Sequence, residues 1–357
     1  MAVHQLISTQ RPIVGDHNPT NLLELLDEGP LEVIVLGGGV IGLTCALELQ
    51  KAGFKVTIWA KTLSPFTTSD VAAAFWYPFH VLPISKVAVW GEHTFKVLVD
   101  LTGTPKSGVF MAPATILFEE ETADPLWAAY VPGFERPAAE DLPEGYFTAY
   151  RFSTPVIEMP VYLAYLADRF VEGGGAIVKR ETASLQEALV ESKLVVNSTG
   201  LSSRSLANDE RMFPIRGQVV RVARPVGEPY VLLVEGTRSG LVYIVYRSQD
   251  AIIGGTVEEG NWRLEPDPTQ TGPMLEAATT LAPEIAGLEV LDVLVGLRPG
   301  RDEVRIESEF FAGFGYVTHC YGHGGGGVSL SWGCAQEVVK LVVSSAQRLR
   351  IASGAGL

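Results

Sequence analysis

The clearest pattern near the start of the chain is an apolar run, a glycine turn, a helical segment and a second apolar run. Val33–Leu36 is a continuous, largely β-branched run, typical of a strand buried in a parallel sheet. After the glycine turn, the pattern predicts a helix to about Ala52, with Gly53 at the position where a helix stops. Lys55–Trp59 is the second predicted strand. These segments predict one βαβ unit.

The middle and end of the chain show a different pattern. Residues 103–160 are rich in proline, glycine and aromatic residues, which indicates antiparallel strands joined by long connections. Four apolar runs separated by turn residues predict a further antiparallel sheet at 217–222, 230–234, 241–246 and 251–256. The other predicted segments are helices at about 161–172, 272–282 and 332–349 and strands at 194–197 and 316–318.

Together the patterns predict an α/β fold, α+β overall, in which a Rossmann-like dinucleotide-binding domain carries an inserted, mostly antiparallel β-sheet domain. The predicted dinucleotide-binding domain is discontinuous and comprises residues 31–76, 153–210 and 296–350. The inserted domain comprises residues 77–152 and 211–295, and we expect it to bind substrate and to contribute to oligomer contacts. Residues 1–30 are predicted to be an N-terminal extension.

The glycine turn after the first strand fits the G-x-G-x-x-G pattern. Gly37 permits the tight turn, Gly39 allows the backbone to approach a pyrophosphate, and Gly42 allows close packing of helix and strand. The helix that begins at Val40 and Ile41 offers free N–H groups to the phosphates. The motif therefore predicts dinucleotide binding, but it does not distinguish NAD from FAD.

The acid that usually contacts the ribose hydroxyls is missing from its expected place. It should follow the second strand, where the sequence has Ala60 and Lys61, and the next acid is Asp70. The motif therefore leaves the ribose ligand open between a neutral side chain and backbone groups, with help from Lys61.

Composition and charge narrow the classes of function. The chain has 357 residues, 47% of them apolar and 19% charged, which favours two folded domains over disorder. Its net charge of −14 argues against nucleic acid and anionic membranes as partners. There is no signal-peptide pattern and no apolar run of about 20 residues, so neither secretion nor membrane insertion is expected.

The cysteines and histidines indicate reduced thiols and no metal site. The cysteines Cys45, Cys320 and Cys334 have no paired spacing, so we expect neither disulfides nor zinc, and a cytoplasmic location. His319 and His323 lie four residues apart, but the glycines that follow disfavour a helix and no acid or cysteine cluster completes a ligand shell. No metal is predicted.

Several spaced segments make the sequence similar to the FAD-dependent D-amino-acid oxidase family, which includes D-aspartate oxidase. The resemblance extends from about residue 31 to residue 340. The segments that carry it are Gly37–Gly42, Thr67–Ala73, Asn197–Gly200, Arg216–Gln218, Val295–Pro299, Tyr321–Gly324 and Trp332–Gly333. Several matches in the same order are far more specific than any single one.

The resemblance implies FAD as cofactor and a set of residues that hold it. Besides the glycine turn, these residues are Lys61, Thr67, Thr68, Ser69, Ala73, Ala74, Thr182, Thr199, Gly200, Arg298, Gly324, Gly325, Gly326, Gly327, Val328 and Ser329. Consecutive N–H groups in the last glycine run suit the electron-rich edge of a flavin, where negative charge builds on reduction.

The resemblance also implies the catalytic residues. Arg298 would grip the substrate α-carboxylate through its guanidinium fork, the Tyr243 hydroxyl would meet the same carboxylate, and the Gly325 carbonyl would accept the substrate ammonium. The alternatives are an ion pair between Arg298 and nearby acids, and plain packing for Tyr243. A second pocket tyrosine of some family members is replaced by Ser239. Tyr77 and Phe79 are candidates for the side-chain pocket, with plain packing as the alternative.

The implied activity is hydride transfer from the α-carbon of a D-amino acid to the flavin, followed by reoxidation by dioxygen. The acidic-substrate branch carries a second arginine where this chain has Val257, which favours neutral substrates because an unpaired buried carboxylate is costly. Arg238 is a partial substitute for that arginine. The alternatives are a D-aspartate oxidase, a nicotinamide-dependent dehydrogenase and a non-catalytic flavin-binding protein. We expect a homodimer or higher homo-oligomer.

Overall fold

The computed structural model describes residues 31–78, 81–235 and 241–354. The predicted extension at residues 1–30 lies outside the described residues, and so do Phe79, Arg238 and Ser239. No helix in the described part of the chain has both the length and the apolar character needed to cross a membrane.

The described residues form fifteen strands and seven α-helices. The strands are β1 (Glu32–Leu36), β2 (Lys55–Ala60), β3 (Ala74–Phe75), β4 (Val109–Phe118), β5 (Thr148–Ile157), β6 (Ala176–Lys179), β7 (Leu194–Asn197), β8 (Phe213–Ala223), β9 (Val231–Glu235), β10 (Val242–Tyr246), β11 (Asp250–Gly254), β12 (Glu258–Glu259), β13 (Val290–Gly300), β14 (Arg305–Phe311) and β15 (Gly315–Tyr321). The helices are α1 (Val40–Lys51), α2 (Ile84–Thr102), α3 (Met159–Glu172), α4 (Leu185–Glu191), α5 (Ser203–Leu206), α6 (Pro268–Leu281) and α7 (Gly327–Gly354).

The first sheet has six strands in the order β14-β15-β7-β1-β2-β6, and only the edge strand β14 is antiparallel to its neighbour. β1 is apolar throughout because both of its faces are covered. Val33 and Val35 belong to the largest core cluster, whereas Ile34 and Leu36 belong to a separate cluster on the opposite face. The predicted βαβ unit and the Rossmann-like sheet are confirmed.

The second sheet has nine strands, in the order β12-β8-β11-β10-β9-β4-β5-β3, with β13 also paired to β8. All of its pairs are antiparallel except β4 with β9, so the prediction of a mostly antiparallel sheet is confirmed. Two strands cross predicted domain boundaries, since β5 contains residues 152 and 153 and β13 contains residues 295 and 296. The division into two domains stays a prediction.

The structure differs from the predicted segments at two helices that pack together. The last helix begins at Gly327 rather than near Trp332, and Gly333 within it permits a close contact with α2. A Cβ at Gly333 would lie 2.3 Å from the Trp90 backbone, and the Gly333 N–H donates to Thr94 Oγ1 at 3.0 Å. Trp90 and Thr94 lie on α2, a helix that the sequence patterns did not reveal.

The cysteines meet between α1, β15 and α7, and none of them is exposed to solvent. Contacts among the thiols, together with burial, raise the pKa of Cys45 and of Cys320, and burial raises the pKa of Cys334. These thiols are therefore protonated at neutral pH and weak nucleophiles.

We expect none of the 3 cysteines to react with the thiol reagent DTNB in the native protein at pH 8. Only unfolding should expose them, so all 3 should react in concentrated urea. The measurement is the absorbance of released thionitrobenzoate. Fast labelling of the native protein would contradict this prediction.

Candidate active site

A cavity of about 1160 Å³ lies between the two sheets. On one side it is lined by residues at the carboxyl ends of β1, β2, β7 and β15, and on the other by residues of β8, β10 and β13. The carboxyl edge of a parallel sheet is where open α/β folds bind ligands. The cavity is continuous from the glycine turn to Arg298 and Tyr243.

The glycine turn brings three backbone segments closer than any side chain would allow. Gly37 has a φ of +114°, and a Cβ there would lie 2.4 Å from the Ser198 carbonyl oxygen. A Cβ at Gly42 would lie 2.0 Å from the Gly37 oxygen. These two glycines are therefore required by the backbone packing itself.

The start of α1 is the part of the turn that remains open. At Gly39 a Cβ would meet only the Ser69 hydroxyl, at 3.0 Å. The helix has no capping side chain and no acid in its first turn, although the Val40 N–H donates to Ser69 Oγ at 3.1 Å. An uncapped helix start that faces a cavity is a ready site for an anion.

Asp70 holds the segment that lies across the cavity from α1. Its Oδ2 accepts hydrogen bonds from the Thr67 N–H at 2.8 Å and the Thr67 hydroxyl at 2.6 Å, and its Oδ1 accepts one from Ser64 at 2.6 Å. This capping box fixes a short 3₁₀ turn at Thr68–Val71. As a result Thr67, Thr68 and Ser69 line the cavity, whereas the buried Asp70 does not.

The loop after β7 is held by a chain of hydrogen bonds. Asn197 Oδ1 accepts from the N–H of Thr199 at 3.2 Å and from its hydroxyl at 2.8 Å. The Asn197 amide nitrogen lies 3.3 Å from His319 Nδ1, and His319 Nε2 lies 3.1 Å from Glu309. Thr199 and Gly200 line the cavity.

Both candidate histidines are buried: His319 belongs to the hydrogen-bond chain that holds the loop after β7, and His323 lies beside the cavity. Burial lowers the pKa of His319 to about 4. The positive charge of the nearby Arg305 contributes to this lowering, and Glu309 only partly opposes the two effects. Burial likewise lowers the pKa of His323 to about 4. Both rings are therefore neutral at physiological pH. No cluster of metal-ligating side chains occurs within residues 31–78, 81–235 and 241–354.

Most of the predicted cofactor residues line the cavity, and two do not. Those that line it are Gly37, Gly39, Val40, Ile41, Lys61, Thr67, Thr68, Ser69, Ala73, Ala74, Thr182, Thr199, Gly200, Arg298, Gly324, Gly325, Gly327, Val328 and Ser329. Gly42 instead packs against Gly37, as expected for the last glycine of the motif. Gly326 does not line the cavity, and a Cβ there would lie 2.5 Å from the Val81 side chain.

These features fit FAD. The helix start at Val40 and the open Gly39 suit a diphosphate, and the cavity continues from there past the 324–329 segment. FAD would be held by the glycine turn, the Thr67–Ala74 segment and the Thr199–Gly200 pair.

Arg298 and Tyr243 meet at the second sheet. Arg298 Nη1 donates to the Thr256 carbonyl at 3.1 Å. Burial raises the pKa of Tyr243, although its hydrogen bond with Arg298 acts to lower it, so the phenol stays protonated. No carboxylate in the described part of the chain forms an ion pair with Arg298, and the nearby Asp302 pairs instead with Arg211 and Arg301.

Three glycines make room for this pair. A Cβ at Gly217 would lie 2.3 Å from Arg298 Nη1 and 2.5 Å from its Cζ. A Cβ at Gly254 would lie 2.0 Å from the Tyr243 ring, and one at Gly255 would lie 2.9 Å from its hydroxyl. Gly217 belongs to the Arg216–Gln218 motif, but the role of all three glycines depends on which residues lie opposite one another on neighbouring strands, and the sequence does not specify this. Tyr243 lies opposite Gly254.

The cavity near Arg298 has largely apolar walls. Leu233, Leu241 and Val257 line it, together with the ring of Tyr77. The Tyr77 hydroxyl donates to Glu235, and its backbone exchanges hydrogen bonds with the Ser329 hydroxyl at 3.0 and 2.9 Å. Tyr77 thus connects the pocket wall to the glycine segment before α7.

A family model described as "FAD dependent oxidoreductase" matches residues 32–341. The chain is 46% identical over 309 residues to "D-amino-acid oxidase" of Rubrobacter xylanophilus, a match that covers 86% of this chain and 94% of that protein. It is 35% identical to human "D-aspartate oxidase", with 89% of this chain and 96% of that protein covered.

Solved structures share the fold. The crystal structure of glycine oxidase from Geobacillus kaustophilus superimposes with a TM-score of 0.72 at 19% identity, covering 88% of this chain and 94% of the other. The family match and the relatives, which extend over most of the described residues, establish that the chain belongs to the D-amino-acid oxidase family of FAD-dependent oxidoreductases.

Proposed function

We propose that the protein oxidises neutral D-amino acids to 2-oxo acids, releasing ammonia and hydrogen peroxide. The overall reaction consumes one dioxygen and one water for each amino acid. The observation that carries this proposal is the Arg298–Tyr243 pair in the cavity, where no carboxylate of the described residues neutralises the guanidinium. The bacterial relative named D-amino-acid oxidase supports it.

Arg298 and Tyr243 bind the substrate α-carboxylate. The planar guanidinium offers parallel N–H donors that match a carboxylate, and the protonated Tyr243 hydroxyl adds a third donor. The Gly325 carbonyl, on the facing wall of the cavity, accepts the substrate ammonium. These contacts fix the orientation of the α-carbon, so the chain contributes to catalysis by positioning. When bound, FAD supplies the electron-accepting chemistry, with dioxygen as the final acceptor.

The pocket beside Arg298 favours a neutral side chain. Val257 lines it and is 51% exposed. The other cations of the described cavity wall have acidic partners: Arg301 pairs with Asp209 at 3.0 Å, and Lys61 and Arg180 pair with glutamates. A second substrate carboxylate would therefore lose hydration without gaining an ion pair from these residues. Arg238 lies outside the described residues.

D-aspartate oxidation is the second candidate, because the human relative carries that name. The nicotinamide alternative is not supported, since the family uses FAD. Homodimer formation and a cytoplasmic location remain predictions of the sequence.

Replacing Arg298 with lysine should lower kcat/KM for D-valine by about 100-fold, because a lysine cannot reproduce the two parallel hydrogen bonds. The measurement is peroxide-coupled turnover, with the flavin absorbance spectrum as a check on cofactor content. Arg224→Lys is the matched control, since Arg224 is exposed and donates to the Gly227 carbonyl, outside the cavity. Unchanged peroxide production by Arg298→Lys would contradict the assignment.

Replacing Gly217 with alanine should raise KM for D-valine about tenfold while the melting temperature changes little. The new methyl group would displace the flexible end of Arg298 rather than backbone, so the loss falls on substrate binding, at about 1.4 kcal/mol per factor of ten. Gly272→Ala is the control, because a Cβ there meets nothing within 4 Å. An unchanged KM would show that Arg298 does not need its observed position.

Replacing Val257 with arginine should raise the ratio of kcat/KM for D-aspartate to that for D-valine by at least about tenfold, because it adds a cation at the pocket wall. The wild type should prefer D-valine. Val226→Arg, at a site that is 97% exposed, is the charge-matched control. A wild-type preference for D-aspartate would overturn the neutral specificity without affecting the assignment of Arg298.

A further inference from the structure

The end of β2 lacks the acid that normally accepts hydrogen bonds from a dinucleotide's adenosine ribose. Its place is taken by Ala60 and Lys61. Asp70, the next acid in sequence, is buried, and both of its oxygens accept hydrogen bonds from Ser64 or Thr67. Asp70 is therefore a structural residue and does not fill the ribose role.

Three carboxylates line the cavity within the described residues: Glu181, Glu259 and Glu303. Glu259 belongs to β12 at the edge of the second sheet, and Glu303 follows β13. Glu181 alone lies at the carboxyl edge next to β2. β6 runs parallel to β2 with Lys179 opposite Ala60, and the pairing therefore brings Glu181 to the level of the residues that follow β2.

The backbone before Glu181 is held firmly. The Arg180 N–H donates to the Ala60 carbonyl at 3.0 Å, which continues the β2–β6 pairing beyond the strand end. The Arg180 guanidinium lies 3.7 Å from the centre of the Trp59 ring and pairs with Glu187 at 2.7 Å. The direction in which Glu181 leaves the sheet is thus set by its neighbour.

Glu181 also forms an ion pair with Lys61, which restricts the movement of its side chain. Lys61 Nζ lies 2.5 Å from Glu181 Oε1, and the two side chains are 67% and 66% exposed. No hydrogen bond from a described residue reaches the second carboxylate oxygen, Oε2, so it remains available as an acceptor. The lysine also offsets the negative charge of the glutamate.

We propose that Glu181 replaces the missing acid and accepts hydrogen bonds from the adenosine ribose hydroxyls of FAD, with Lys61 orienting its carboxylate. The acid has moved from the end of β2 to the end of the adjacent parallel strand. The proposal concerns cofactor binding, so it is independent of the substrate assigned above.

The test measures affinity rather than turnover. Flavin is removed from the purified protein, and FAD and its 2′-deoxyadenosine analogue are titrated back while the quenching of protein fluorescence is followed. We expect the wild type to bind FAD about tenfold more tightly than the analogue, as for the loss of one hydrogen bond to a charged group. Glu181→Gln should weaken FAD binding about tenfold, and because its neutral amide oxygen is a weaker acceptor than a carboxylate, it should discriminate between the two ligands less than the wild type does.

Two further variants complete the design. Glu32→Gln is the matched control, because Glu32 forms an exposed ion pair with Lys55 at the opposite end of β1 and β2. It should bind FAD like the wild type. Lys61→Met should retain a preference for FAD over the analogue, since the direct acceptor remains. The proposal is overturned if the wild type does not discriminate, if Glu181→Gln discriminates as strongly as the wild type, or if Lys61→Met abolishes discrimination.

Discussion

The structure depends on one close approach of backbone to backbone, where the turn after β1 meets the end of β7. Gly37 lies against the Ser198 carbonyl, and Gly42 lies against Gly37. Any side chain at either glycine would separate β1 from β7 or α1 from the turn. Because β1 and β7 are neighbours in the sheet, this contact sets where α1 begins. The anion site at Gly39 and Val40 follows from it.

A glycine also permits a close approach in the second sheet, where Gly217 makes room for the side chain of Arg298. A guanidinium that is not paired with a carboxylate is poorly tolerated in a protein interior unless it can be hydrogen-bonded. Arg298 meets this requirement by lying flat over Gly217 and donating to the Thr256 carbonyl. The cation is therefore held in place without being neutralised, which is the condition for binding an anionic substrate group.

Sequence patterns predicted the parts of this structure that are local. The βαβ unit and the last strand of the parallel sheet follow from short-range periodicity, and the glycine turn follows from its own motif. Contacts between distant segments were not predictable. Gly217 lies 81 positions before Arg298 in the chain, and the two meet only because β13 lies beside β8, with Gly296 opposite Gly217. Gly326 resembled its neighbours in the glycine run, but it packs against Val81 and does not line the cavity.

The position of Glu181 shows why a missing motif residue need not mean a missing function. A ribose hydroxyl can donate a hydrogen bond to any carboxylate within reach, whatever its position in the sequence. Parallel pairing places the ends of two different strands within reach of the same point. A carboxylate after β6 can then serve as well as one after β2, provided that its backbone is fixed and its charge is balanced. Arg180 fixes the backbone through Ala60 and Trp59, and Lys61 balances the charge. Lys61, which follows β2 where the acid is usually found, then forms an ion pair with the acid that follows the neighbouring strand.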